Sequence, residues 1–259
     1  MAGQLIIRTL LAGAALCACT RTVPVTDLER YQLQGNVLCA LVQMEAGVSY
    51  CAWFNRQGML DSLVQMNPSD TLSNVFHYDR EGKLTEHEIF RQDRHYEGYY
   101  LYQYKKGVLS SYSLFGWDLQ AIFDWKFDIE DGHQTRCRYY NEGALVSTTE
   151  YTYGEHAKME TIYDAEGTLC GEITYTYRDA FRIDAIRSED IDIRIEYGED
   201  LLPTSSTGGL IEPDGEIAGA RGAKVSYTYE KDNRENWTSR TETISGEAGR
   251  TITRTITYR

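Results

Sequence analysis

The sequence predicts an all-β fold, a long antiparallel meander of repeated hairpins forming a curled or partly closed sheet. Three observations carry this expectation. A hairpin-like phrase recurs along the chain, the stretches between its copies alternate apolar with polar residues, and no segment has a convincing 3.6-residue period. The phrase reads "WFNRQGML" at 53–60, "HYDREGKL" at 77–84 and "IYDAEGTL" at 162–169. "QYKKGVL" (103–109) and "YYNEGAL" (139–145) align with one residue deleted, "FDIEDGH" (127–133) with one added. Looser copies are "EYGEDLLP" (196–203) and "TYEKDNRENWT" (228–238). Starts at Phe54, Tyr78, Tyr104 and Phe127 lie roughly 23 to 26 residues apart, the length of two strands and two turns.

Each part of the phrase has a physical reason. The aromatic residue ends a strand, where a broad ring packs on a half-buried pleated face. The following Asp or Asn bonds its own backbone in the turn. Glycine supplies the positive φ of the reversal, and Leu starts the return strand. In "IDIRIEYG", Ile191, Ile193, Ile195 and Tyr197 share one face while Asp192, Arg194 and Glu196 share the other.

The chain opens with a targeting pattern. Arg8 precedes an apolar run over 9–16 that is too short to span a bilayer and has the length of a signal peptide's core. Leu16-Cys17-Ala18-Cys19 resembles the lipobox of bacterial lipoproteins. That resemblance implies a signal peptide over 1–18, cleavage after Ala18, acylation of Cys19 and a lipid-anchored place at the outer membrane of a Gram-negative bacterium, periplasmic or surface-facing. Residues 19–27 then form a tether and 28–259 the folded domain. The formal net charge of −13 argues against nucleic acid and bare anionic lipid as partners. Cys39, Cys51, Cys137 and Cys170 match no zinc spacing, and the sequence leaves disulfides or buried thiols open.

Tyr78-Asp79 with Gly82 and Leu84, and Tyr163-Asp164 with Gly167 and Leu169, resemble the unit of YD-repeat, Rhs-like proteins. Asn236-Trp237-Thr238 is similar to the ending of many such repeats, and 33–43 resembles the lead-in of small repeat-bearing lipoproteins. The resemblance implies antiparallel hairpins laid side by side. The chain is short for a toxin shell and lacks a visible autoproteolytic core. Residues 201–224, rich in glycine and holding Pro203 and Pro213, break the rhythm and read as a long surface loop.

Chemistry-bearing motifs are few. His87-Glu88 lacks a second metalloprotease histidine, and "DIEDG" at 128–132 lacks the bidentate acid of a calcium loop. No nucleophile elbow or phosphate loop occurs, and the sequence implies neither cofactor nor metal. Tyrosine, present twenty times, reads mostly as the repeat's core ring. The exception is "YEGYYLYQY" at 96–104, which puts rings on both strand faces. With Trp117 next along, Tyr96, Tyr99, Tyr100, Tyr102 and Tyr104 form the candidate binding patch.

The expected function is a non-catalytic envelope scaffold that binds a glycan or another envelope protein, with the bilayer as a further partner through Cys19. The alternative is a carboxylate-based hydrolase of envelope or dietary polysaccharide, which would need a concave pocket holding two carboxylates about 5 to 10 Å apart. A transmembrane barrel is disfavoured because Arg254 shares a face with Ile252, Ile256 and Tyr258.

Overall fold

The computed structural model describes residues 26–44, 47–91 and 95–259. The signal peptide, Cys19 and the tether up to residue 25 lie outside the described residues. Thr26 and Asp27, at the tether's end, start a one-turn helix α1 (Asp27–Arg30), where the Thr26 hydroxyl and the Glu29 carboxylate cap each other's backbone N–H. Eighteen strands follow among the described residues. The first nine are β1 (Val37–Gln43), β2 (Ser49–Phe54), β3 (Leu60–Asn67), β4 (Asp70–Tyr78), β5 (Leu84–Arg91), β6 (His95–Lys105), β7 (Val108–Gly116), β8 (Ala121–Glu130) and β9 (His133–Asn141). The rest are β10 (Ala144–Tyr153), β11 (Ala157–Asp164), β12 (Leu169–Tyr177), β13 (Ile183–Arg187), β14 (Asp192–Tyr197), β15 (Pro203–Ile211), β16 (Ile217–Lys231), β17 (Trp237–Ile244) and β18 (Glu247–Tyr258).

Every strand pairs antiparallel with its chain neighbours, and β1 also pairs with β18, Ala40 opposite Ile256 and Val42 opposite Arg254. The sheet is therefore a closed eighteen-stranded barrel. This corrects the expectation of a curled or partly closed sheet. Closure pairs both end strands and leaves no edge.

The repeated phrase is the turn after a strand. At Asp79, Oδ1 accepts the N–H groups of Glu81 and Lys83, and Gly82 takes φ +81°. Asn55, Asp164 and Asp232 accept in the same way. The phrase's tyrosine does more than pack. Tyr78, Tyr104 and Tyr197, and Tyr153 at a turn outside the phrase, each donate a hydroxyl to a carbonyl on the preceding strand, at Leu60, Leu84, Ile183 and Gln134 respectively.

Alternation decides which face is inside. Ile193 and Ile195 are buried while Asp192, Arg194 and Glu196 face solvent; Ile252 and Arg254 are buried while Thr251, Thr253, Thr255 and Thr257 are exposed. On these strands the apolar face lines the interior and the outer face is polar, the reverse of a lipid-facing barrel, whereas β1–β4 turn Leu41, Cys51, Trp53, Val64 and Val75 outward. Arg254 belongs to the inner wall, so the case against a membrane-spanning barrel passes from Arg254 to these outward charges and hydroxyls.

Barrels of this strand number leave an interior too wide for wall side chains alone. On the β4–β9 side a cross-strand row of rings helps fill it: Phe76 on His87 (4.5 Å), His87 on Tyr100 (5.4 Å), Tyr112 on Trp125 (4.5 Å) and Trp125 on Tyr139 (5.1 Å). On the other side the filler is the segment expected to be a loop. Residues 201–224 instead build the β15–β16 hairpin. Pro203 is the first residue of its strand, where no ladder donor is needed, and Pro213 lies in the turn. Between Thr207 and Gly209 the register breaks, with Gly208 facing residues 220–223. Beyond that break Ile211, Pro213 and Ile217 are buried, and Gly215 lies against the Arg30 carbonyl.

The 27–34 segment crosses the rim made by the turns after the even-numbered strands. Leu28 N–H donates to Gly58 O, Leu60 N–H to Asp27, and Asn236 bonds both backbone groups of Gln34. The hairpin tip thus returns through the interior to the rim that the N-terminal segment closes.

Candidate functional site: an aromatic strip on the outer wall

The strands β5–β7 carry rings on both faces, as their sequence indicates, and the structure splits the candidate patch in two. Tyr100, Tyr102 and Tyr104 point inward and pack around Tyr112 and Trp125. Tyr96 and Tyr99 point outward. They join two residues that sequence reasoning missed, Phe90 of β5 and Phe115 of β7. Phe90 meets Tyr96 edge-on at 5.5 Å, Tyr96 lies 6.3 Å from Tyr99, and Tyr99 stacks on Phe115 at 4.9 Å. Register would have found them, because Phe90 pairs with Tyr96 and Tyr99 with Phe115.

A close backbone approach holds the strip. Gly98 stands opposite Ile89 and Gly116, beside a bulge that leaves Glu97 unpaired, and a Cβ there would come within 2.1 Å of the Phe115 carbonyl oxygen. The bulge keeps Tyr96 and Tyr99 on the same face although they are three positions apart. Leu101 extends the strip as an exposed side chain, and Trp117, 78% exposed, stands in the turn after β7. Carboxylates border it: Glu88 pairs across the ladder with Tyr99, and Glu86 with Leu101. Burial first, then the Glu88 charge, holds the Tyr96 hydroxyl above its ordinary range.

The strip ends at the rim opposite α1. Nine residues of β7 at about 3.3 Å each run ~30 Å along the strand from one rim to the other.

Two buried carboxylates inside the barrel are held by cations. Lys158 Nζ lies 2.6 Å from Glu160 and 4.6 Å over the Tyr151 ring, and both charged side chains are buried. Glu242 is held by Arg240 and Arg250, each at 2.7 Å. Among the described residues no cluster of His, Cys, Asp or Glu could hold a metal ion. The four cysteines among the described residues are free thiols; Cys39 and Cys51 are not cross-strand partners, and burial pushes the Cys51 thiol up to about 11 and that of Cys137 up to about 12.

No family model and no curated protein matches the chain. Among solved structures it is similar to a porin-like protein from Bacteroides uniformis, at 13% identity and TM-score 0.42, covering 85% of this chain and 96% of that one. It is also similar to a chain of the TcdB2–TccC3–Cdc42 complex, at 11% identity and TM-score 0.30, covering 80% of this chain and 15% of that one.

Proposed function

We propose that the protein is an envelope barrel, anchored in the outer membrane through acylated Cys19, that presents the strip of Phe90, Tyr96, Tyr99, Phe115 and Trp117 to a glycan and performs no chemistry on it. The observation that carries this reading is the strip itself. It is a run of stacked and edge-on rings on the outer wall, continued toward β1–β4 by Val64, Cys51 and Leu41, and apolar surface of this kind marks binding surfaces. Tyrosine and tryptophan offer an apolar face together with a polar tip, which suits the alternating C–H and hydroxyl surfaces of a sugar. The strip also lies at the far rim from the residues that continue toward Cys19, so an anchored barrel would turn it away from the bilayer. The buried carboxylates Glu160 and Glu242 are each held by cations, which supports a binding role over a hydrolytic one.

Titration of the purified protein with a panel of neutral and acidic oligosaccharides tests the reading. Tyr99→Ala with Trp117→Ala should weaken the best binder at least tenfold, about 1.4 kcal/mol or more, with the fold unchanged. Equal binding by wild type and variant, or turnover of the glycan, would overturn it. Protease shaving of intact cells, with Cys19→Ala as control, tests the anchor and tells a surface-facing barrel from a periplasmic one.

A further inference from the structure

The inner wall where β16, β17, β18, β1 and β2 meet holds a cluster of buried donors that the protein itself does not satisfy. Arg254 is 3% exposed and its guanidinium lies flat on the Trp237 ring, Cζ 3.4 Å from the centroid. Its Nη2 reaches only the Pro213 carbonyl, at 3.4 Å, while Nε and Nη1 meet no acceptor. Arg240 Nε and the hydroxyls of Tyr50 and Tyr229 are equally buried and equally without partners. Ladder register brings these groups together. Tyr50, Val42 and Arg254 stand in one row across β2, β1 and β18, and Tyr229, Arg240 and Ile252 in the adjoining row across β16, β17 and β18.

The charges leave a remainder. Arg240 and Arg250 share Glu242, and Arg250 also holds Glu212. Arg254 has no carboxylate within ion-pair reach among the described residues. The nearby Asp214 bonds its own turn at Glu216 N–H, and burial raises its carboxyl toward the neutral form. A buried, unpaired guanidinium is among the costliest groups a fold can contain. Waters can satisfy its N–H groups but not its charge.

We propose that this cluster is a binding site for a small inorganic anion, a halide or an oxyanion such as phosphate, held by Arg254 Nε and Nη1, Arg240 Nε and the hydroxyls of Tyr50 and Tyr229. The anion would lie beside the turn of the infolded β15–β16 hairpin, whose carbonyls at Ile211 and Pro213 the same two arginines already bind. Its occupancy would thereby tie the hairpin to the wall.

Bromide soaked into crystals of the protein is the first probe. The expected result is an anomalous peak within ~3.5 Å of Arg254 Nε or Nη1. The second is the melting temperature against bromide and against phosphate at constant ionic strength. Wild type should rise with the logarithm of anion concentration. Tyr50→Phe with Tyr229→Phe should shift the half-saturating concentration at least tenfold. Arg254→Met should abolish the dependence. No peak at Arg254, or an anion dependence identical in wild type and the tyrosine variant, would overturn the proposal and leave a water-filled site.

Discussion

His87 sets a pH limit on the barrel. Its ring lies between Phe76 and Tyr100, at 4.5 and 5.4 Å, and its Nε2 shares a 2.8 Å hydrogen bond with Asn74 Oδ1. The Asn74 amide nitrogen donates to Leu63 O, so its oxygen is the acceptor and Nε2 carries the proton. A second proton would go on Nδ1, inside a stack of rings. Burial accordingly lowers the His87 pKa from 6.5 to about 4. The folded value lies below the unfolded one, so the stabilisation is full above pH 6.5 and is lost as pH falls toward 4. At roughly 1.4 kcal/mol per unit, the loss between pH 6.5 and 5 is ~2 kcal/mol, and it reaches ~3 kcal/mol near pH 4. That is a large part of the ~5 to 15 kcal/mol of a typical domain. Urea melts from pH 7 to 5 on wild type and His87→Phe measure it through the midpoint at constant slope. The variant should lose ~2 kcal/mol less than wild type over that window. Parallel loss in the two proteins would refute the reasoning.

Other perturbations have equally definite outcomes. Lys158→Met should cost about 3 to 5 kcal/mol by stranding Glu160, whereas Lys158→Met with Glu160→Leu should restore most of that loss; equal melts for the single and double variants would refute the pairing. Tyr78→Phe and Tyr104→Phe should each cost about 1 kcal/mol by orphaning the Leu60 and Leu84 carbonyls, and should add when combined, as read by chemical denaturation. Gly98→Ala should disrupt the strip, because its Cβ would drive into the Phe115 carbonyl; an unchanged near-ultraviolet spectrum and unchanged glycan affinity would contradict that.

The parts legible in the sequence are those specified locally. An Asp or Asn that accepts two nearby N–H groups, with glycine next in the turn, is a property of five residues, so the turns at Asp79 and Asp164 could be read directly. Alternation likewise put Ile193 and Ile195 on one face. Closure could not be read, because it depends on Val42 meeting Arg254 across the whole chain. The β15–β16 hairpin was hidden by its own composition, since proline at a strand start and glycine at a register break look like loop signals until the pairing is known. For the patch, parity separated Tyr99 from Tyr100, but only closure says which of them faces water.

The polar outer face of β14 and β18 is tested most directly by sedimentation of residues 26–259 in buffer without detergent. One folded, β-rich species is expected, because Asp192, Arg194, Glu196 and the Thr251–Thr257 row face water while Ile193, Ile195 and Ile252 on the same strands are enclosed. Aggregation reversed by detergent, with folding only in micelles or bilayers, would contradict it and make this a barrel that spans the membrane.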